Sequence, residues 1–427
     1  MADGPDPNPR PRDVRRFDPF DPVLRTDPYP VYARFRRDAP IHVGVPPLST
    51  LPECHYLFRY RDVDAAARDP RFGRARGLGY EGVGLKDAEP LRRMARRMLL
   101  FSDPPDHTRL RGLVARAMAP FLVDGIEERT RIIITGLLDR AESRGSLDLM
   151  ADYAIPLPVM VIADLMGIPE EDRSRFQELS EMVMAMSDVR RDGRVLRRAR
   201  KGAVELWEYL EAVVAERRGR PGSDLISRLL AVEHEGERLS DEEVLANCGL
   251  LLIAGHETTR NLIGNGTLAL LQNRDQLRRL RANPGLLESG IHELLRYDSP
   301  IQITFRVAAE DVPLGDTRIR KGQAVALVLG SANRDAETFH DPNRLDLSRD
   351  SRRHLAFSAG SHYCLGAPLA VLEARMAIAA LLERFEEIRP LMEGEPDWDD
   401  HVVFRGLRTL PIRVSGGLAV PSREPRA

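Results

Sequence analysis

The chain has 427 residues, of which 43% are hydrophobic and 30% charged, a composition typical of a globular protein with a large core. Its formal net charge of −2 argues against a nucleic-acid partner. The three cysteines, Cys54, Cys248 and Cys364, are too few and too widely spaced for a disulfide framework, which favours a reducing compartment.

The N-terminal residues 1–16 are rich in Pro, Asp and Arg and lack the apolar segment of a signal peptide. We therefore expect a disordered tail over 1–16, followed by one domain over 17–427. No apolar run approaches the roughly 20 residues that span a bilayer. These features predict a cytoplasmic protein without a membrane anchor.

The first hundred residues predict short elements and one long loop. Helices are expected at 31–38 and 63–68, and strands at 41–45 and 56–60. The segment 69–100 contains five glycines between Gly73 and Gly84, which indicates a loop. A loop of this length is often a lid or binding loop, and the alternative is a surface loop without a role.

The middle of the chain is predominantly helical by its apolar periodicity. One helix starts after Asp103-Pro104-Pro105, and the others are expected at 124–144, 158–166, 170–187, 195–217 and 240–272. Beyond residue 300 the pattern predicts strands at 304–308 and 324–329, a helix at 365–382 and a final hairpin at 402–414. The sequence thus predicts a mainly α protein with small β-sheets.

The long helix 240–272 is interrupted by polar residues. Residues 250–254 are apolar on every face, which predicts a buried helix, yet Gly255-His256-Glu257-Thr258-Thr259 follows directly. Glycine weakens a helix, threonine hydroxyls bond back to carbonyls, and a buried carboxylate is costly unless it is paired or protonated. Such violations tend to mark function, and the alternative is a solvated end of the helix.

Ten residues, 357–366, surround the last cysteine. Cys364 precedes an Ala/Leu-rich helix, and a helix N-terminus favours thiolate, a ligand that soft and borderline metals prefer. Gly360 and Gly366 permit tight backbone geometry, so that N–H groups can point at the sulfur, and Phe357 can shield it. The alternative is a free buried cysteine that acts as a small hydrophobe.

The spacing Phe-x-x-Gly-x-His-x-Cys-x-Gly in this stretch closely resembles the haem-binding loop of cytochromes P450, of the soluble bacterial type. The resemblance runs from about Asp27 to Val414. It implies the cytochrome P450 fold, a triangular, single-domain haem-thiolate protein. It also implies that heme b is the cofactor, with Cys364 as the axial ligand of the iron and Phe357, Gly360, His362 and Gly366 in the binding loop.

Two further motifs gain a meaning from the resemblance. Ala-Gly-x-Glu-Thr is similar to the oxygen-binding groove of the family, so Glu257 and Thr258 match the acid–alcohol pair that supplies protons when dioxygen is split. His256 is expected to form a hydrogen bond or to lie near substrate, and not to bind iron. The family's propionate-binding positions are matched by four residues, His107, Arg111, Arg306 and His362.

A structural motif is implied as well. Glu293 and Arg296 lie on one helical face and resemble the family's Glu-x-x-Arg motif, although six other glutamates in the chain have the same spacing to an arginine. The expected third partner is Arg344, in the irregular segment before the cysteine. We expect this cluster to support folding and not catalysis.

The implied reaction inserts one oxygen atom from O2 into a C–H bond or alkene. The expected substrate is a mid-sized, partly polar natural product of a specialised-metabolite pathway such as antibiotic biosynthesis. It is expected to bind between parts of 77–97, 173–190, 250–258, 301–305 and 400–404. A separate ferredoxin and its NAD(P)H-dependent ferredoxin reductase would supply electrons to a monomer, with Arg109 and Arg116 as docking candidates or merely solvated residues. The alternatives are oxidative coupling or ring closure without oxygen insertion, and a non-catalytic haem sensor or scaffold.

Overall fold

The computed structural model describes residues 16–46, 53–74, 89–122, 125–184 and 193–417. The predicted tail and most of the glycine-rich loop lie outside these ranges. Tyr80 and Glu81, which we expect to meet polar groups of the substrate, are in that part of the loop. Within them the helices are α1 Val23–Thr26, α2 Tyr29–Asp38, α3 Tyr60–Arg68, α4 Glu89–Arg97, α5 Asp106–Met118, α6 Ile126–Glu142, α7 Pro156–Leu165, α8 Arg173–Met184, α9 Gly193–Gly219, α10 Leu225–Ala231, α11 Asp241–Gln272, α12 Arg274–Ala282, α13 Leu287–Tyr297, α14 Leu329–Ala332 and α15 Ala367–Arg384.

The strands in these ranges are short. They are β1 Ile41–Gly44, β2 Cys54–Leu57, β3 Phe72–Gly73, β4 Ser146–Asp148, β5 Glu233–His234, β6 Glu237–Arg238, β7 Thr304–Ala308, β8 Val312–Leu314, β9 Thr317–Ile319, β10 Ala324–Leu327, β11 Phe385–Pro390 and β12 Pro411–Gly417. The prediction of a mainly helical protein with small sheets is confirmed.

A five-stranded sheet forms one side of the described fold, in the order β1-β2-β10-β7-β3. Strand β10 runs parallel to β2 and antiparallel to β7. The side chains alternate between two apolar clusters. Val325 and Leu327 belong to one cluster, while Ala324 and Ala326 belong to the other. This alternation is the period of two that buries both faces of the sheet.

The predicted hairpin at 402–414 is wrong. Strand β12 pairs with β11, and on its other edge with β4, far earlier in the chain. Residues 391–410 form a folded loop between β11 and β12, in which Trp398 and Leu407 make an isolated bridge. Because the partners of β12 are distant in sequence, local turn signals could not identify them.

The central helix α11 organises the helical part. Its capping box is present, since the Ser240 hydroxyl accepts a hydrogen bond from the Glu243 N–H and the Glu243 carboxylate accepts one from the Ser240 N–H. The helix packs against α4, α7, α9, α13 and α15 within the largest apolar cluster. None of the described helices is both long and apolar enough to cross a membrane.

Candidate active site

Cys364 lies between a one-turn 3-10 helix and the start of α15. Its N–H donates to the Phe357 carbonyl at 3.0 Å, and its sulfur receives the backbone N–H groups of Gly366 and Ala367. Burial raises the pKa of the Cys364 thiol, whereas these N–H groups and the nearby Arg111 charge oppose the rise. The site therefore holds a desolvated sulfur toward which backbone donors are directed, and these donors offset part of the effect of burial.

The two glycines of the loop serve different needs. Gly360 has φ +69°, and a Cβ there would lie 2.6 Å from the Ala67 carbonyl oxygen, so only glycine fits. Gly366 has φ −85°, a value that other residues adopt. A Cβ on Gly366 would meet no atom within 4 Å, so the missing side chain leaves open space close to the sulfur of Cys364.

The four residues predicted to bind propionates converge on the cysteine loop. The rings of His107 and His362 have centroids 4.2 Å apart, and Nε2 of His107 is buried without a hydrogen-bond partner. Arg306 is 1% exposed and donates to the Phe305 carbonyl at 2.9 Å. Burial lowers the pKa of Arg306 to about 10, and burial together with the surrounding cations, Arg111 included, lowers that of His362 to about 2.

Arg74, directly after β3, joins this cluster and was missed by the sequence analysis. Its backbone N–H donates to Asp103 at 2.7 Å and its Nη2 to the Thr304 hydroxyl at 2.8 Å, while Nε is buried without a partner. Burial, and then the charge of Arg306, lower its pKa. Because arginine is abundant throughout the chain, the residue type alone does not mark Arg74. Its position in the glycine-rich loop is the one signal that the sequence offers.

This set of donors fits an anionic group beside the sulfur. Three arginines and two imidazoles gather there. The Asp103 carboxylate is the negative charge that acts on His107, Arg74 and Arg306. Buried charges require partners, and two of the buried nitrogens in the cluster have none. A metal-containing group with two carboxylates would give the sulfur a metal ion to bind and would give the arginines anionic partners. Haem has this chemistry.

The polar interruption of α11 is buried, because His256, Glu257 and Thr259 are all at most 6% exposed. The alternative of a solvated helix end is therefore excluded. The hydroxyl of Thr258 donates to the carbonyl of Ala254, four residues earlier, at 2.8 Å, as its position predicts. Ala254 is nevertheless exposed, so this turn of a core helix borders open space.

The carboxylate of Glu257 is turned toward the following turn of α11. Its Oε1 accepts hydrogen bonds from Arg260 Nη2 at 2.5 Å and from Asn261 Nδ2 at 3.2 Å. Burial raises the pKa of Glu257, and the Arg260 charge acts against the rise. The sequence does not single out Arg260. Glu257 is one of the six other glutamates that have an arginine three residues later, and this spacing alone is too common to indicate an ion pair.

His256 forms a hydrogen bond, as expected. Its Nδ1 and the Ser180 hydroxyl on α8 are 3.0 Å apart, and its Nε2 is buried without a partner. Burial lowers the pKa of His256 to about 3, with a further contribution from Arg260. The imidazole is therefore neutral and links two helices.

The Glu293–Arg296 pair is fully buried, with two hydrogen bonds of 2.7 and 2.8 Å. The prediction of Arg344 as the third partner is wrong. Arg349 Nε lies 3.1 Å from the Glu293 carboxylate, and the Ser351 hydroxyl donates to the same group at 2.5 Å. The side chain of Arg344 is exposed, and only its carbonyl oxygen joins the cluster, as an acceptor for Arg296. The turns of this irregular segment bring Arg349, five positions later, to Glu293.

Other predicted positions have different partners. Arg109 pairs with Glu243 at the start of α11, which leaves Arg116 as the exposed docking candidate. Gln302, predicted near substrate, is buried and donates to the Ser299 carbonyl at 2.8 Å.

Comparison with known proteins identifies the family. The family model "Cytochrome P450" matches residues 89–401. Cytochrome P450 107B1 of Saccharopolyspora erythraea is 41% identical over 403 residues, covering 92% of this chain and 96% of the relative. Cytochrome P450 monooxygenase PikC of Streptomyces venezuelae is 41% identical over 392 residues, covering 91% of each chain.

A solved structure supports the same conclusion. That of PksS, the cytochrome P450 of the bacillaene polyketide synthase of Bacillus subtilis 168, has a TM-score of 0.85 and 36% identity, and covers 94% of this chain and all of its own. The fold, the cysteine loop and these relatives agree. The chain belongs to the cytochrome P450 family of haem-thiolate monooxygenases.

Proposed function

We propose that Cys364 is the axial ligand of the iron of heme b and that the chain oxidises a small organic molecule by oxygen insertion. The observation that carries the proposal is the cysteine loop, where two backbone N–H groups meet the sulfur and a cluster of arginine and histidine side chains lies beside it. When bound, haem supplies the activation of O2 and the transfer of one oxygen atom to a C–H bond or alkene.

The surrounding residues hold the cofactor in this proposal. His107, Arg111, Arg306 and His362, with Arg74 in addition, bind the two propionates, which supply the anions that these arginines need. Phe357, whose ring lies 6.2 Å from that of Tyr363, screens the sulfur from water. Gly360 fixes the turn, and Gly366 leaves room for the cofactor.

Glu257 and Thr258 manage protons. The Thr258 hydroxyl, held by the Ala254 carbonyl, is placed to orient a proton donor at the edge of the open space beside Ala254. The Glu257 carboxylate takes up a proton from solvent and passes it toward that hydroxyl. Because it is ion-paired with Arg260, it must leave this cation before it can donate.

The name of one relative supports a substrate class, and the resemblance to soluble bacterial members of the family supports an electron donor. PksS bears a polyketide biosynthesis name, which supports a mid-sized natural product of a specialised-metabolite pathway as the substrate here. A separate ferredoxin with an NAD(P)H-dependent reductase supplies the electrons to a monomer, and Arg116 on α5 is a docking candidate.

The test is a ligand screen followed by turnover. Polyketide and other natural-product libraries are screened for a shift of the Soret band, and hits are incubated with O2, ferredoxin, reductase and NAD(P)H. A product that gains one oxygen atom supports the proposal. Loss of two hydrogens assigns oxidative coupling or ring closure instead. Absence of both products, with no ligand-dependent NAD(P)H consumption, contradicts the proposed activity.

A further inference from the structure

Arg260 lies between two carboxylates that come from distant parts of the chain. Its Nη2 is 2.5 Å from Glu257 on α11 and 3.2 Å from Oδ2 of Asp399 in the 391–410 loop. The side chains of the three residues are 8%, 17% and 29% exposed in the order Glu257, Arg260, Asp399. The same nitrogen therefore donates to a buried carboxylate, Glu257, and to a more exposed one, Asp399.

Asp399 is held in place by its loop. Its N–H donates to the Gly406 carbonyl at 2.8 Å, beside the bridge between Trp398 and Leu407. The guanidinium of Arg405 stacks on the Trp398 ring at 3.5 Å, and this arginine pairs with Asp298. These contacts fix the backbone that carries Asp399, so its carboxylate is held near Arg260 by the packing of the loop.

The same loop touches the second group that binds Glu257. A Cβ on Gly406 would lie 2.0 Å from Oδ1 of Asn261, so the loop backbone lies directly against this amide. Asn261 donates to the Glu257 carboxylate. Both hydrogen-bond donors to Glu257 are therefore in contact with the loop between β11 and β12.

The charges around Glu257 alternate from the core to the surface. Arg260 follows Glu257, Asp399 follows Arg260, and Arg408 lies 3.3 Å from Asp399 with its side chain 44% exposed. His256, the other ionisable group influenced by Arg260, is neutral because its pKa is low. The Asp399 charge raises the pKa of Glu257 while that of Arg260 lowers it.

We propose that Asp399 is a positioning residue for Glu257, which it controls by competing for the Nη2 donor of Arg260. The inference rests on the proposed role of Glu257 in proton supply. When Arg260 binds Asp399 more closely, Glu257 is released, accepts a proton from solvent water and can turn toward Thr258.

The test measures the pH at which the Glu257 carboxyl titrates in the haem-loaded protein. Its infrared carboxyl band is identified as the one that disappears in Glu257→Gln. Asp399→Asn is expected to move the titration to lower pH by about one unit, because an adjacent negative charge is lost. Arg260→Gln is expected to move it to higher pH by about one to two units, since a charge-assisted hydrogen bond is lost.

Asp64→Asn is the matched control. It makes the same chemical change at a carboxylate that pairs with Arg68 within α3, and it should leave the titration of Glu257 unchanged. Asp399→Glu should restore the normal titration. An unchanged titration in Asp399→Asn, or a shift in the same direction as in Arg260→Gln, overturns the inference.

Two further measurements separate this inference from other failures. A normal ferrous–CO spectrum in each variant shows that the haem site is intact, and its absence in the unaltered protein contradicts the proposed function instead. If Asp399→Asn loses haem, Arg408→Gln replaces it. That variant frees Asp399 for Arg260 and should raise the titration pH of Glu257 by a few tenths of a unit, whereas no change overturns the proposal.

Discussion

The buried Glu293 cluster gives a prediction that separates two arginines only five residues apart. Replacing Arg349 with Met removes the 3.1 Å ion pair to Glu293 and the hydrogen bonds from Arg349 to the carbonyls of His340 and Asp341. Arg344→Met is the matched control, because that side chain is exposed.

The expected cost follows from what remains after each change. Without Arg349, the Glu293 carboxylate keeps both bonds from Arg296 and those from Ser351 and the Asp346 N–H. The free energy of unfolding should therefore fall by about 2–3 kcal/mol, the value of one charge-assisted hydrogen bond together with the bonds to the two carbonyls. It stays below the 3–5 kcal/mol typical of a buried charge left alone, which we expect for Arg296→Met. Arg344→Met should change the free energy of unfolding by less than about 0.5 kcal/mol.

Urea unfolding of the haem-loaded proteins, followed by far-UV circular dichroism, measures these differences. The midpoints should rank Arg344→Met close to the unaltered protein, then Arg349→Met, then Arg296→Met. Equal losses at positions 344 and 349, or a larger loss at 344, would refute the assignment of Arg349 as the third member of the cluster.

The remaining predictions concern the cavity, the cofactor and acid stability. Thr258→Ala should raise NAD(P)H consumption per product formed without changing the ferrous–CO spectrum, and unchanged coupling removes Thr258 from proton supply. Arg74→Gln should accelerate haem transfer to apomyoglobin by about 10- to 100-fold, while Arg71→Gln, at an exposed ion pair, should not. The folded-state pKa of His354 is lowered to about 3 by burial, below the ordinary 6.5, so the unfolded chain binds the extra proton as pH falls. Stability from this group is present above pH 6.5 and falls by about 1.4 kcal/mol per pH unit below it, and His354→Gln should flatten that part of the pH–stability curve measured by urea unfolding.

The elements that sequence reasoning predicted well are those fixed by local rules. Helix α11 begins at its capping box and keeps its buried polar turn, because both features are set by neighbours within four residues. Strand β7, Thr304–Ala308, was predicted with its observed bounds, and the cysteine loop places its N–H groups at the sulfur as its spacing suggested.

The errors and omissions arise where partners are far apart in sequence. Arg349 replaces Arg344 because irregular turns decide which side chain reaches Glu293. Asp399 meets Arg260 only after the loop before β12 has folded against α11, 139 residues away. Arginine is common throughout the chain, so neither its presence nor its spacing could identify such contacts before the fold was known.

The assignment of Cys364 as the haem ligand is tested most directly by one spectrum. The ferrous–CO complex of the unaltered protein should show the strongly red-shifted Soret band of thiolate-ligated haem, and Cys364→Ser should lose it, whereas Cys248→Ser, at a buried cysteine in α11, should retain it. A red-shifted band that survives in Cys364→Ser would contradict the assignment.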